Sequence, residues 1–555
     1  MRIRMTLAAA VAALLMVVPA AQASQTFNRP VQLSNPPFAG EPSIAADPTG
    51  HVLVASPQSI PSGANGSSGT GLWISGNSGD TFAQGTLIGS YLGGGDDDVI
   101  YDQGTWYEAD LEAAATEVCQ STDAGKTWTG VGPLPDPSNC TTVNGGQAAP
   151  SDDRPWLTAD PTDKRRIYLT YHEFVSAQPL AFSTTNGGGD DFANSCGSLV
   201  TDPSIEANVP TDITGGTLVA RPVVDKSGTL YVLFATTTQQ ENAQAFAQGQ
   251  PSGTFSQLYL AVSKDHCQTF TDYTVFDGQA KYGPNTVQFG DIFNDLALDG
   301  AGNLYVVGAG YVNSPANTTN IYLFNSTDHG QHWNGPYQLD SPSSAHMLPA
   351  AVGGPQAGQL AIGYFRTING VTDPNSSSGK WTYSTAEATD ASTTTPSFTY
   401  GDVNPGYVYH NGEICNLGIL CGTIPGQPSD RSLLDFTSVT LAPGGCPLYV
   451  FAGNPSGSAG NNDSTNTNNY VTRQLTGCFT STSGAGGGGT GSGGTTGGPT
   501  PTPGGTPARL VGSPSKSKHP PHKKHHKKHK KHKHHKHHKT RRHAANQAAA
   551  ISLTG

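Results

Sequence analysis

Apolar and polar residues alternate along most of the chain in short stretches that come in pairs, each pair joined by a polar turn. Seven pairs stand out: "EPSIAADPTGHVLVA", "DDDVIYDQGTWYEA", "DRPWLTADPTDKRRIYLTY", "ARPVVDKSGTLYVLF", "NDLALDGAGNLYVVG", "LPAAVGGPQAGQLAIGYF" and "LLDFTSVTLAPGGCPLYVF". Each reads as an apolar strand, a turn usually holding Gly, and a second alternating strand, which predicts an antiparallel hairpin. A second pattern interleaves with the first. It reads "SGNSGDTF" (Ser75 to Phe82), "STDAGKTW" (Ser121 to Trp128), "SKDHCQTF" (Ser263 to Phe270) and "STDHGQHW" (Ser326 to Trp333), with a stretched copy "STTNGGGDDF" (Ser183 to Phe192). The acceptor positions Asn77, Asp123, Asn186, Asp265 and Asp328 are read as structural. There Asp or Asn takes backbone N–H groups inside a turn, Gly supplies a positive φ, and the aromatic covers apolar surface between neighbouring units.

Seven hairpins, most followed by a box, predict seven units of four short antiparallel strands. Such units bury their faces only by stacking around an axis, so the fold class is an all-β propeller. The reading is seven-bladed, with six blades as the alternative if "DDDVIYDQGTWYEA" belongs to a neighbouring unit. The segment "FNRPVQLSN" is expected to close the ring with the last unit.

The ends differ from the body. Residues 1–23 read as a secretory signal, with Arg2 and Arg4, an apolar run from Leu7 to Val18, and small residues at Ala21-Gln22-Ala23. That run is too short to span a bilayer, and no transmembrane segment follows it. Residues 24–480 form the expected propeller, 481–515 a Gly/Ser/Thr/Pro-rich linker, and 516–555 a disordered His/Lys-rich tail.

This division resolves the net charge of −11. Of the Lys and Arg residues only 14 lie in the body, against all 41 acidic residues, a balance of −27. An acidic body argues against nucleic acid as its partner. The tail, with eleven His and thirteen Lys or Arg from Lys516 to His543, is suited to anionic cell-wall polymers or glycans. Chelation of Zn²⁺, Ni²⁺ or Cu²⁺ is the alternative. The expected location is extracellular, with retention at the cell surface through the tail, and the expected state is a monomer. Eight cysteines, all after the signal, favour disulfides in an exported chain. Cys415 with Cys421 is the first expected bridge, Cys119 with Cys140 the next.

The boxes resemble the Asp-boxes, or BNR repeats, of the sialidase superfamily of propellers, over roughly Phe27 to Phe479. Sialidases of this class are six-bladed, and seven-bladed relatives occur among other glycosidases and non-catalytic proteins. The resemblance places the boxes on the outer turns and the functional site where the inner strands begin. Residues at those starts are Glu41, Asp96, Asp97, Asp98, Asp153, Arg154, Arg221, Asn294, Asp295, His346, Asp430, Arg431 and Asp435. Sialidases clamp a sugar carboxylate with three arginines, whose planar forks suit it, and Arg154, Arg221 and Arg431 take that part by position. The alternative is that each Arg pairs with a nearby Asp and ties blades together. The remaining sialidase apparatus is a Tyr nucleophile, a Glu and an acid/base Asp; Tyr171, Glu173 and Asp98 are the candidates. The family's opening Arg-Ile-Pro motif is absent, and Glu41 of "GEPSIA" stands in its place.

No cofactor is required by this reading. The run Asp96, Asp97 and Asp98 has the oxygen density that calcium favours, with a solvated acidic loop as the alternative. Two functions stay open: a sialidase-like propeller acting at extracellular glycans, with exo-α-sialidase hydrolysis as its enzymatic form, and a non-catalytic surface-interaction propeller anchored by its tail.

Overall fold

The structure is a computed structural model that describes residues 25–33, 40–57, 70–85, 94–112, 115–131, 140–143, 152–164, 166–173, 178–183, 192, 194–196, 199–201, 217–247, 255–289, 294–315, 318–340, 343–415, 421, 429–455 and 467–479. The expected signal, linker and tail, and the box acceptor Asn186, lie outside the described residues.

Among the described residues, seven antiparallel sheets follow one another along the chain, each built on a path of four strands. Blade 1 runs from Ser43–Ala46 to Ala83–Gln84, blade 2 from Gly94–Asp102 to Thr129–Gly130, and blade 3 from Asp152–Ala159 to Asn194–Ser195. Blade 4 spans Thr217–Val219 to Thr271–Asp277, blade 5 Val287–Gln288 to Asn334–Leu339, and blade 6 His346–Gly353 to Thr399–Asp402. "DDDVIYDQGTWYEA" thus founds a blade of its own. Blade 7 takes three strands from Ser438–Leu441, Pro447–Gly453 and Asn468–Thr476, and its fourth from Thr26–Phe27 at the other end of the chain. Val31–Gln32 adds to the same strand, with Val31 opposite Val471. The segment expected to close the ring does so.

Why the blades stack is visible in the core. Among the described residues, buried apolar side chains fall into seven clusters, and each cluster joins two neighbouring blades. Leu53, Ala55 and Leu72 of blade 1 meet Val99 and Trp106 of blade 2, for example, and Val52 and Val54 on the other face of blade 1 meet Leu448 and Val450 of blade 7. Strands buried on both faces lose the clean polar alternation of a one-sided sheet, and full burial of each Val or Leu contributes roughly 1.5–3 kcal/mol.

The box turns connect the third and fourth strands of blades 1, 2, 4 and 5. In blade 2, Ser121 Oγ donates to Asp123 Oδ1 at 2.9 Å, and Asp123 in turn accepts from the Thr127 N–H at 2.9 Å and its hydroxyl at 2.7 Å. Asn77, Asp265 and Asp328 accept in the same way from Thr81, Thr269 and His332. The Gly330 φ is +82°, and a Cβ there would stand 2.3 Å from Leu260 of the preceding blade. A glycine at that place therefore serves both the turn and the close approach of two blades. Blade 4 puts Cys267 there instead, at φ +64°, and bonds it to Cys196 next to the outer strand of blade 3. The other bridges are the expected Cys415–Cys421 and Cys119–Cys140, and Cys446–Cys478. No described helix is long and apolar enough to cross a membrane.

Candidate functional site

Every blade starts with its inner strand, so the seven starts gather at one end of the axis. The backbone there is unusual. Glu41, Arg154, Leu348 and Leu434 hold positive φ values of 47°, 54°, 54° and 60°, a region that bulky residues rarely occupy. Register shifts interrupt the inner strands of blades 2, 3 and 6 at Gly94/Asp97, Asp153/Trp156 and Met347/Ala350. These bulges break the alternating side-chain pattern at the starts of the inner strands.

The result is one charged network. Asp98 of blade 2, fully buried, accepts at Oδ1 from Ser43 Oγ (2.6 Å) and Arg221 Nη2 (2.5 Å), and at Oδ2 from Leu157 N (2.9 Å). Asp96 Oδ2 accepts from the Arg154 backbone N–H at 3.0 Å. Arg154 is itself buried, its guanidinium carbon 3.8 Å from the Trp156 ring centre and 3.4 Å from that of Phe436. Its Nη1 donates to the Asp97 carbonyl. Arg431 forks onto Asp435, with Nε 2.9 Å from Oδ1, and stands 3.6 Å from Glu41. Asp295 accepts from Leu296 N and from Ala351 N of blade 6, at 2.9 and 2.8 Å.

Electrostatics follow from this crowding. Burial, then the charges of Asp96 and Asp435 and a hydrogen bond with Asp96, hold Glu41 well above the usual carboxylate range, and Arg431 opposes them. Burial likewise pushes up Asp97 and Asp295 and pushes the Arg154 guanidinium down. For Arg431 burial acts in the same downward sense, but Asp435 and Glu41 outweigh it and its pKa is raised.

The expected residues divide accordingly. Arg154, Arg221 and Arg431 do reach one region, yet Arg221 and Arg431 are closed on Asp98 and Asp435, and Arg154 is stacked between two rings beneath the surface. Tyr171 lies elsewhere: it is on the second strand of blade 3, fully buried in the apolar contact with blade 2. Glu173 ends that strand, and its side chain lies outside the described residues. Asp96, Asp97 and Asp98 serve different partners, because successive residues of a strand face opposite ways. Among the described residues no group of three or more acidic, His or Cys side chains converges at metal-ligand spacing. Sequence reasoning missed Ser43, Trp156 and Phe436, which brace Asp98 and Arg154. Their only signal was position beside the charged starts.

No protein-family pattern matches the sequence, and no curated protein matches it. Among solved structures, an α-L-arabinofuranosidase of Fusarium graminearum is similar at 12% identity over 81% of this chain and 98% of that one, with a TM-score of 0.40. The NanB sialidase from Streptococcus pneumoniae is 10% identical over 81% of this chain and 70% of its own, at TM-score 0.38. A polysaccharide lyase described as an ulvan lyase is 11% identical over 81% and 94%, at TM-score 0.43. Identities this low carry no residue roles across.

Proposed function

We propose that this chain is an exported propeller of the sialidase and Asp-box type that engages extracellular carbohydrate at its axial mouth. The observation that supports the reading is the convergence there of charged side chains from six blades: Glu41, Asp96 and Asp98, Arg154, Arg221, Asp295, and the Arg431 and Asp435 pair leading into blade 7. Asp96, Arg221, Asp295 and Arg431 are partly exposed and offer donors and acceptors suited to sugar hydroxyls. The mouth has more carboxyl groups than guanidinium groups, so a neutral sugar suits it better than an anionic one. Exo-α-sialidase action would require Arg221 and Arg431 to leave their carboxylates for that of the substrate. The deciding experiment exposes the full chain to arrays of neutral and sialylated glycans and to matching aryl glycosides. Arg221→Lys, which keeps the charge but not the fork, runs alongside with its melting temperature recorded. Binding of a neutral glycan, weakened at least tenfold in a folded Arg221→Lys variant, is expected. Turnover of an aryl α-sialoside would overturn the neutral preference, and no binding or turnover on any probe would overturn the reading.

A second reading, a non-catalytic propeller docked on a cell surface by its cationic tail, is favoured by the same closed arginine pairs. Retention of the full chain, and release of a form lacking residues 516–555, on washing a cell-wall preparation at low salt would support it.

A further inference from the structure

The inner three strands of blade 2 carry a row of carboxyl groups, buried except at Glu117, that the axial network does not use. Asp97 is the register partner of Asp110, and Asp110 that of Glu117, so the three stand side by side across the sheet. Glu108, the partner of Val99, lies on the same face one row further along. That face is turned toward blade 1: Val99, Trp106 and Cys119 on it pack against Leu53, Ala55 and Leu72, and Thr70 Oγ1 of blade 1 donates to Asp110 Oδ2 at 3.2 Å. Asp97, Glu108, Asp110 and Thr70 are at most 1% exposed.

Two facts set this row apart from an ordinary acidic patch. Both carboxylate oxygens of Asp97, which is fully buried, lack a hydrogen-bond partner. In addition, the sequence contains no Lys or Arg from Pro30 to Gly125, a span that includes every blade 1 strand and the first three of blade 2. The guanidinium facing Asp97 is that of Arg154 in blade 3, whose hydrogen bond goes to the Asp97 carbonyl and not to its carboxylate. Asp98 and Asp96, the adjacent acids, add negative charge from the axial side. Buried charges in proteins are paired or coordinate metals.

We propose that the interface of blades 1 and 2 is a site for a hard divalent cation, calcium by its tolerance of many oxygen ligands, held by Asp97, Asp110, Glu108 and the Thr70 hydroxyl. Cross-strand partners have Cβ atoms about 5 Å apart, within reach of an ion that takes oxygens at roughly 2.3–2.6 Å. The carboxyl groups of the row stand wider than ligand spacing. Closing on an ion requires these side chains to rotate toward one another from neighbouring positions of the sheet. A cation here would cross-link two blades, a role separate from carbohydrate binding at the mouth.

Terbium replaces calcium and is excited through nearby tryptophan, and Trp106 lies on the same strand face as Glu108 and Asp110. The full chain, stripped with EDTA, is titrated with Tb³⁺ and then with Ca²⁺, and its melting temperature is followed with each. The tail is present in every sample, so ions held there cancel in comparison with Asp97→Asn. Expected are one luminescent Tb³⁺ per chain, displaced by Ca²⁺, a melting temperature raised by Ca²⁺, and at least tenfold weaker binding in Asp97→Asn, with Asp110→Asn as the second variant should the first not fold. Equal responses in wild type and variants would place any ion elsewhere and overturn the site. Absence of a Ca²⁺ response in the wild type, with melting temperature rising as pH falls, would overturn it in favour of carboxyl groups that share protons.

Discussion

Arg221 of blade 4 and Asp98 of blade 2 meet past the start of blade 3, Nη2 2.5 Å from Oδ1. With Ser43 of blade 1 and the Leu157 N–H of blade 3 also on Asp98, one carboxylate of blade 2 gathers groups from three other blades. Breaking a buried pair from one side leaves the other charge stranded, at about 3–5 kcal/mol. Replacing Asp98 by Ala should therefore lower the urea midpoint sharply. The double change with Arg221→Met should recover a large part of the loss. Additive losses in that cycle would show that the pair is not coupled.

Glu387 gives a pH dependence of definite sign. It is buried between blades 6 and 7, where burial, opposed by Gln474 and Tyr449, pushes its pKa from 4.5 to about 7. The folded state thus holds its proton more tightly than the unfolded chain does. Its contribution is favourable below about pH 4.5 and is lost as pH rises through about 7, at a cost on the order of 3 kcal/mol. Glu387→Gln should flatten melting temperature against pH across that interval and raise it at pH 8. A parallel curve for wild type and variant would count against this assignment.

Cys267 occupies a turn position with φ +64°, and its bridge to Cys196 spans 71 residues. Removing that bridge with Cys196→Ser and Cys267→Gly should cost about 2–4 kcal/mol. Pairing Cys196→Ser with Cys267→Ala instead should cost about 1 kcal/mol more, because only glycine takes this backbone freely. Chemical denaturation of the two double variants distinguishes them.

Gly330→Ala tests the packing of box against blade. The added methyl would press on Leu260 at an already left-handed position, so a loss of roughly 2–4 kcal/mol is expected from strain and overpacking together. Leu260→Ala removes the obstacle but empties a fully buried position, so the double variant should lose less than the sum of the two single losses, with the φ penalty still present. Calorimetric melting temperatures of the single and double variants decide it.

Much of the architecture was legible because hairpins and box turns are local: a period of two, a turn residue and an aromatic suffice to place them. The ring-closing strand was legible for a related reason, as one apolar stretch lacked a hairpin partner. The site was less so. Arg154, Arg221 and Arg431 can be assigned to blades from their spacing, but whether each guanidinium is free depends on bulges at Asp153/Trp156 and neighbouring strands that no periodicity announces. Tyr171 shows the same limit, since alternation gives its face and not what that face meets. The Asp97–Asp110–Glu117 row depends on register across two hairpins, and Cys196 with Cys267 on contact between blades.

Thr26 and Thr476 place their hydroxyls 2.8 Å apart although 450 residues separate them. Such a contact cannot form until nearly the whole propeller has emerged, and its search time grows with the loop it must close. Until then the strand Asn468–Thr476 presents an unpaired edge, open to any passing strand. Chains of this kind therefore live through an interval in which six interfaces are made and the last is vulnerable, and the two-residue pairing of Thr26–Phe27 ends it.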